Sequence, residues 1–261
     1  MTERLIQSVD RAIDIIELFT ASTPELSVKE ISERLHLSKS TVHGLIKTLE
    51  YRGLLEQNLE NQKYRLGLKL FELGNLVGNQ LDIRKLSSTV IHKLVEQVKE
   101  TVHLTILDKH EVVYVEKLEG PSSLRMYSQI GKRAPMYCTG VGKAILAYLD
   151  EQRVDDILRT TEMVSYTPYT ITTVEGIKTE LQRIRENGYA TDDQEIELGL
   201  RCFAAPIFNH EGNAVASISC AGPINRIVYT KESEIAGYVK EAAAEISRKL
   251  GYRGNRHAGQ A

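Results

Sequence analysis

Between residues 27 and 66 the chain spells two short amphipathic helices separated by a tight turn and followed at once by a hairpin. No other stretch constrains the fold as strongly. Ser27 has Glu30 three residues on, the reciprocal spacing of a capping box, and Val28, Ile31 and Leu35 recur at the helical period. His36-Leu37 leaves room only for a tight connection before Ser38, a second N-cap. Val42, Leu45, Ile46 and Leu49 then form one apolar stripe of a helix that ends near Gly53. Residues 54–57 and 63–66 read as short strands joined across Asn58-Leu-Glu-Asn61. An earlier helix, with Val9, Ala12, Ile13, Ile16 and Phe19 as its inward residues, is broken by Ala21-Ser-Thr-Pro24. The pattern predicts a winged helix-turn-helix over residues 5–66, its helix-turn-helix at about 27–49.

With the apolar stripe of the third helix turned inward, Lys39, Ser40, Thr41, His43, Lys47 and Thr48 face out, just after Ser38. Hydroxyls allow close approach to a DNA groove, and the cations reach phosphates or base edges. Lys63 and Arg65, on the second wing strand, are placed to grip the flanking backbone. Total charge does not help: the net value is −2, and residues 1–80 hold ten Lys and Arg against eleven Asp and Glu. Placement does, because phosphate contacts need local cations. From His36 to Arg52 there are three Lys or Arg, one acid and two His. The alternative is a helical hairpin used for protein contacts, its cations a solvated face.

Residues 67–80 read as a linker helix, 81–251 as a second domain and 252–261 as a disordered tail. In the second domain a long helix over about 81–100 precedes strands near 102–107, 112–115 and 124–127. Helices follow near 139–149, 151–159 and 173–187, then strands at 200–208 and 214–221 and a helix near 231–250. This is an α+β domain in which helices cover a largely antiparallel sheet. The 42% hydrophobic and 26% charged content is that of a globular protein. No apolar run is long enough to span a membrane, and the N-terminus lacks a signal-peptide core. Three cysteines without CxxC spacing fit reduced thiols in a cytoplasmic protein.

The chain resembles the IclR-type transcriptional regulators along nearly its whole length. The resemblance rests on Gln7-Ser-Val-Asp-Arg-Ala-Ile-Asp14, Leu37-Ser-Lys-Ser-Thr-Val-His43 and Lys63-Tyr-Arg-Leu-Gly67. In the second domain it rests on Tyr137-Cys-Thr-Gly-Val-Gly-Lys143, Gly199-Leu-Arg-Cys202 and Ala221-Gly-Pro223. It implies a protein that is not an enzyme, with a winged helix-turn-helix joined to a GAF-like effector domain, acting as a dimer or tetramer on palindromic double-stranded operators. Residues 124–137 and 68–74 are most similar to the branch that represses sugar-acid catabolism, typified by the 2-keto-3-deoxygluconate regulator. Gly44 departs from the family, whose members commonly carry Arg there, so their operator sequence does not transfer.

By the same resemblance, effector contacts map onto the amides of Gly140 and Val141 and onto Asp192, Cys202 and Ser219. A further serine contact maps onto Ala221, which has no hydroxyl. Thr139-Gly-Val-Gly-Lys143 is not a phosphate loop, since Tyr137 and Ala144 stand where one needs Gly and Ser or Thr. A keto sugar acid suits these groups, with amides for its carboxylate, Asp192 and Ser219 for its hydroxyls, and Arg125 nearby. An aromatic acid competes, given Met126, Tyr127, Met136 and Tyr137. Some relatives bind zinc in this region; Cys138, Cys202, Asp192 and His103 lack ligand spacing, and no metal or cofactor is expected. Bound effector is expected to alter the placement of the two DNA-reading domains through the helices at 67–100. Two rivals remain open: a thiol enzyme using Cys202 with His103 or His210 as base, and a constitutive architectural protein, which leaves residues 101–250 without a role.

Overall fold

A computed structural model describes residues 5–121, 128–227 and 232–254, the side chains of residues 79 and 80 excepted. The chain divides into two compact units, Met1–Gln80 and Leu81–Ala261.

In the first unit, α1 (Gln7–Glu17), α2 (Val28–Leu35) and α3 (Lys39–Tyr51) precede a hairpin of β1 (Leu55–Gln57) and β2 (Tyr64–Leu66), and α4 (Leu68–Gln80) follows. The capping box at Ser27 forms in both directions, Ser27 N–H to Glu30 Oε2 at 2.7 Å and Glu30 N–H to Ser27 Oγ at 3.2 Å. His36 makes the tight turn by adopting φ 52°, a left-handed conformation that His tolerates better than bulkier or branched residues. Ser38 then caps α3 through the Thr41 N–H at 3.2 Å. Each cap contributes about 1 kcal/mol. Packing contributes more, through a core of Ile15, Phe19, Leu26, Ile31, Val42, Ile46, Leu49, Leu55 and Tyr64. Burying one such side chain stabilises by about 1.5–3 kcal/mol.

The phase of α1 departs from the sequence expectation only in part. Ala12, Ile16 and, just past the helix, Phe19 pack on the core as expected, but Ile15 is the helix's fully buried residue and Val9 and Ile13 are 54% and 49% exposed. Residues 5–19 carry apolar side chains on two faces, and periodicity alone cannot say which one the core takes. Gly44 is exposed, and a Cβ added there would meet nothing within 4 Å, so packing of this unit does not demand glycine at that position.

The second unit runs α5 (Asp82–Val98), β3 (Thr101–Asp108), β4 (Glu111–Leu118), β5 (Arg133–Pro135), α6 (Gly140–Leu146), α7 (Glu151–Thr160) and α8 (Val174–Asn187). It continues with β6 (Ala190–Asp193), β7 (Leu200–Phe208), β8 (Ala214–Pro223) and α9 (Glu232–Lys249). Its six strands form one sheet in the order β5-β4-β3-β8-β7-β6, every neighbouring pair antiparallel. Side chains alternate across it with period two. Phe203, Ala205, Ile207, Ile218 and Cys220 join the core shared with α5 and α9. Cys202, Ala204 and Ala221 join the core shared with α6, α7 and α8.

Two sequence expectations need correction here, and a third is not tested. Strands β5 and β6, three and four residues long, are too short to carry an alternation signal and add to the expected set. The expected strand at 124–127 lies outside the described residues, and with it Arg125, Met126 and Tyr127. Tyr252, expected in a disordered tail, stacks on Phe208 with ring centroids 5.0 Å apart and donates its N–H to Ser247 O at 2.9 Å; residues 255–261 lie outside the described residues. Among the described residues no helix is long and apolar enough to cross a membrane.

Candidate functional site

The outward face of α3 carries Lys39, Ser40, Thr41, His43, Lys47 and Thr48, all exposed. Not all of their polar atoms are uncommitted. Ser38 Oγ lies 2.9 Å from both Ser40 Oγ and Thr41 Oγ1 and accepts the capping N–H, so this hydroxyl is engaged with the helix start. Lys47 pairs with Glu50 at 2.8 Å, which raises the ammonium pKa through that hydrogen bond. On the wing, Lys63 pairs with Glu30 at 3.3 Å and Arg65 with Glu56 at 3.2 Å. Such exposed pairs add little to stability, so a phosphate can displace the carboxylates. The wing is therefore a weaker electrostatic grip than its two cations suggest.

In the second unit, sheet register brings separate segments into one place. Asp192 of β6 lies opposite Cys202 of β7, and Cys202 opposite Ala221 of β8. One rung along on the same face, Ala204 lies opposite Ser219, and Ser219 opposite His103 of β3. The small residues of these rungs leave a floor on which α6 rests. Gly140 suits this close packing: a Cβ would come within 3.1 Å of Cys202 Sγ, tighter than an ordinary contact, and 3.6 Å from Asp192 Cβ. Ser217 Oγ ties the helix down by donating to Val141 O at 2.9 Å. Thr139 caps α6 through the Gly142 N–H at 3.1 Å. The first two amides, of Gly140 and Val141, have no partner within the helix.

These elements enclose a cavity of 440 Å³. Gly140, Val141, Asp192, Cys202 and Ser219, expected from the family resemblance as effector contacts, all line it, with Ala221. So do residues that sequence reasoning does not assign to effector binding: His103, Tyr114, Ser128, Lys132 and Glu197. For His103 the only available signal is strand alternation, which puts it on one face of β3 with Thr101 and Thr105, while Ser128, Lys132 and Glu197 lie outside the strands and carry no periodic signal. Alternation names a face and not a site. Met136 and Tyr137 do not line the cavity; they are buried core residues, and the Tyr137 hydroxyl donates to Val164 O at 2.8 Å. His210 is exposed in the turn between β7 and β8.

Burial sets the electrostatics of the site. Asp192, 3% exposed, is pushed up to about 6 by desolvation, although Lys143 and the Glu195 N–H at 2.8 Å pull the other way. Behind it Lys143, fully buried, donates to Thr191 O at 2.7 Å and to the Glu195 carboxylate, with Glu180 3.8 Å away. Desolvation raises Glu195 to about 7 against the pull of Lys143. The Cys202 and Cys138 thiols are each pushed up to about 12 by burial, the reverse of what a nucleophilic cysteine needs. Among the described residues no three His, Cys, Asp or Glu side chains converge as metal ligands.

Comparison with known proteins decides what this pairing of reader and cavity belongs to. A model of the IclR helix-turn-helix domain matches residues 8–59, and a model of the bacterial transcriptional regulator IclR C-terminal region matches residues 76–248. The chain belongs to the IclR family. This IclR-family member is 40% identical over 248 residues to the HTH-type transcriptional regulator XynR of Escherichia coli (strain K12), covering 95% of this chain and 98% of that one. It is 38% identical over 228 residues to the HTH-type transcriptional regulator KdgR of the same organism, covering 87% of each. The crystal structure of the Thermotoga maritima IclR superposes with a TM-score of 0.79 at 35% identity, covering 95% of this chain and all of that one. The protein is thus a DNA-binding transcriptional regulator with a C-terminal effector domain, and the families it matches are regulators and not enzymes.

Proposed function

We propose that this regulator is a cytoplasmic repressor of a sugar-acid catabolic operon, binding a palindromic operator as a dimer or tetramer and sensing a small keto sugar acid. The observation that carries the effector assignment is the convergence of Gly140, Val141, Asp192, Cys202 and Ser219, from four separate elements, on one cavity. Amides at the start of α6 suit a carboxylate, and the Asp192 carboxylate and Ser219 hydroxyl suit sugar hydroxyls. Polar groups on several sides favour a hydroxylated acid over a purely aromatic one.

Exposed apolar side chains support self-association. On α1 and the residue pair before it, Leu5, Ile6, Val9 and Ile13 face solvent, and on α4 Leu68, Phe71, Leu76 and Val77 do the same. Apolar surface of this kind marks an interaction site, and a second copy of the chain is the occupant a palindrome would require. An effector then acts by favouring one placement of the paired readers over another.

Two measurements test the two halves. Lys47→Ala is expected to weaken operator binding and to flatten the plot of log affinity against log salt by about 0.9, one phosphate contact. An unchanged slope places Lys47 away from phosphate. For the cavity, operator titration with and without sugar acids must show an affinity change; a binding curve indifferent to every acid refutes the sensing role.

A further inference from the structure

Position 44 is the outermost point of α3. At about 100° of rotation per residue, Val42, Ile46 and Leu49, the buried side chains of the helix, stand about 140–160° round from it. Ser40, Thr41, Lys47 and Thr48, all exposed, lie within about 60° on either side. Gly44 stands in the interior of this 13-residue helix, where glycine is the poorest helix former after proline. Its own fold gives no reason for the choice. The backbone there is not left-handed, and an added Cβ would meet nothing within 4 Å. A glycine that the chain needs neither for a turn nor for packing leaves room for a ligand brought close to the backbone. Seven residues on, about 10 Å along the axis and about 20° off the same line, Tyr51 is 88% exposed. The face is thus low in its N-terminal half and high at its C-terminal end, the profile of a helix that enters a groove by its N-terminal half.

We infer that Gly44 is the point of closest approach between α3 and the operator, and that it selects a T·A pair whose thymine methyl lies against the glycine Cα. This rests on α3 being the DNA-reading helix, as proposed above. The groups round Gly44 decide the base. Thr48 Oγ1 donates to Gly44 O at 3.1 Å, so its proton is used within the helix. The Ser40 and Thr41 hydroxyls each lie 2.9 Å from Ser38 Oγ and are engaged with the helix start. Lys47, the nearest cation, stands about 60° off the line and pairs with Glu50 at 2.8 Å. Guanine is matched by a bidentate cation, adenine by an amide side chain and cytosine by a carboxylate, and none of these stands on the line of Ser40, Gly44 and Thr48. Thymine is marked by its C5 methyl, which small apolar surface reads. With a Cβ in place of the glycine hydrogen, that methyl loses its seat.

The probe is the duplex that the full wild-type chain enriches from a random-sequence pool. Gly44→Ala is expected to bind that duplex at least about ten-fold more weakly, as an overpacked contact does. Its melting temperature should stay level or rise, because alanine is the better helix former. Replacing single thymines by deoxyuridine removes the C5 methyl and nothing else. At one position this should weaken wild type about four-fold, the worth of one buried methyl, and strengthen Gly44→Ala, whose new Cβ takes the freed space. Gly44→Ala binding the enriched duplex within about two-fold of wild type, the scale of an ordinary surface change, overturns the inference. So does a loss that no deoxyuridine relieves, and so does a fall in the variant's melting temperature, which would place the glycine's role inside the fold. The reading of α3 is judged separately by His43→Ala and Lys47→Ala. If these weaken binding and Gly44→Ala does not, only the role of Gly44 falls. If wild type enriches no duplex, or none of the three variants weakens binding, the reading of α3 fails and the role of Gly44 with it.

Discussion

Asp192→Asn is expected to make the effector domain more stable at pH 8 and worse at its task. The carboxyl is raised by burial from 3.8 to about 6, so the folded state binds more protons than the unfolded state between those values. Stability associated with this group is therefore fully present below pH 3.8 and lost as pH rises through about 6. A shift of that size corresponds to about 3 kcal/mol above pH 7. Asparagine carries no charge to desolvate, and its Oδ1 can still accept the Glu195 N–H that Asp192 accepts at 2.8 Å. Thermal unfolding across pH should show wild type and variant converging near pH 4, with the variant ahead by up to about 3 kcal/mol at pH 8. Hydroxylated acids should nonetheless bind it at least about ten-fold more weakly, because a charge-assisted acceptor is gone. A variant less stable than wild type at pH 8 would mean that the carboxylate is held by contacts stronger than its desolvation penalty.

Lys143→Met should have the opposite effect. Lys143 is fully buried, and its ammonium satisfies the Thr191 carbonyl and the Glu195 carboxylate and faces Glu180. Removing one partner of a buried pair costs about 3–5 kcal/mol because the other charge is left without compensation. The loss depends on pH. Glu195 already stands at about 7, above its ordinary 4.5, and it rises further without the ammonium. Stability is then lost as pH climbs from 4.5 through the folded value, so the deficit is smallest near pH 5 and largest near pH 8. Adding Glu195→Gln to Lys143→Met should recover more than half of the loss at pH 8. Stability of the single variant within about 0.5 kcal/mol of wild type, the scale of an ordinary surface change, would show that Lys143 contributes nothing net.

The reader is largely legible in the sequence because its signals are local. Ser27, Glu30 and Ser38 announce helix starts by side-chain chemistry that acts within four residues, and the structure forms those bonds. In α1 the local signal is ambiguous, since an element with two apolar faces does not say which is covered by its own fold; Val9 and Ile13 lie on the other one. The effector cavity is legible only in part, for a related reason. Family resemblance names Gly140, Val141, Asp192, Cys202 and Ser219, but from the residues alone Asp192 could as well be a cap or a solvated acid. What makes it a buried cavity residue is the register of β6 on β7, a non-local fact. The same holds for His103, which reaches the cavity only because β3 pairs with β8 from the far end of the domain. Strands β7 and β8, covered on both faces, read as near-continuous apolar runs, so alternation gives little help with which side chain goes where.

Communication between cavity and reader is the central claim. Operator affinity of the full chain should be measured at fixed salt with and without saturating sugar acid, using the acid that binds tightest in calorimetry. If the acid acts by favouring one placement of the paired DNA-binding domains, affinity falls by about 5–150-fold, the range of a 1–3 kcal/mol coupling, and operator weakens acid binding by the same factor. An acid that binds the cavity and leaves operator affinity unchanged would contradict that claim.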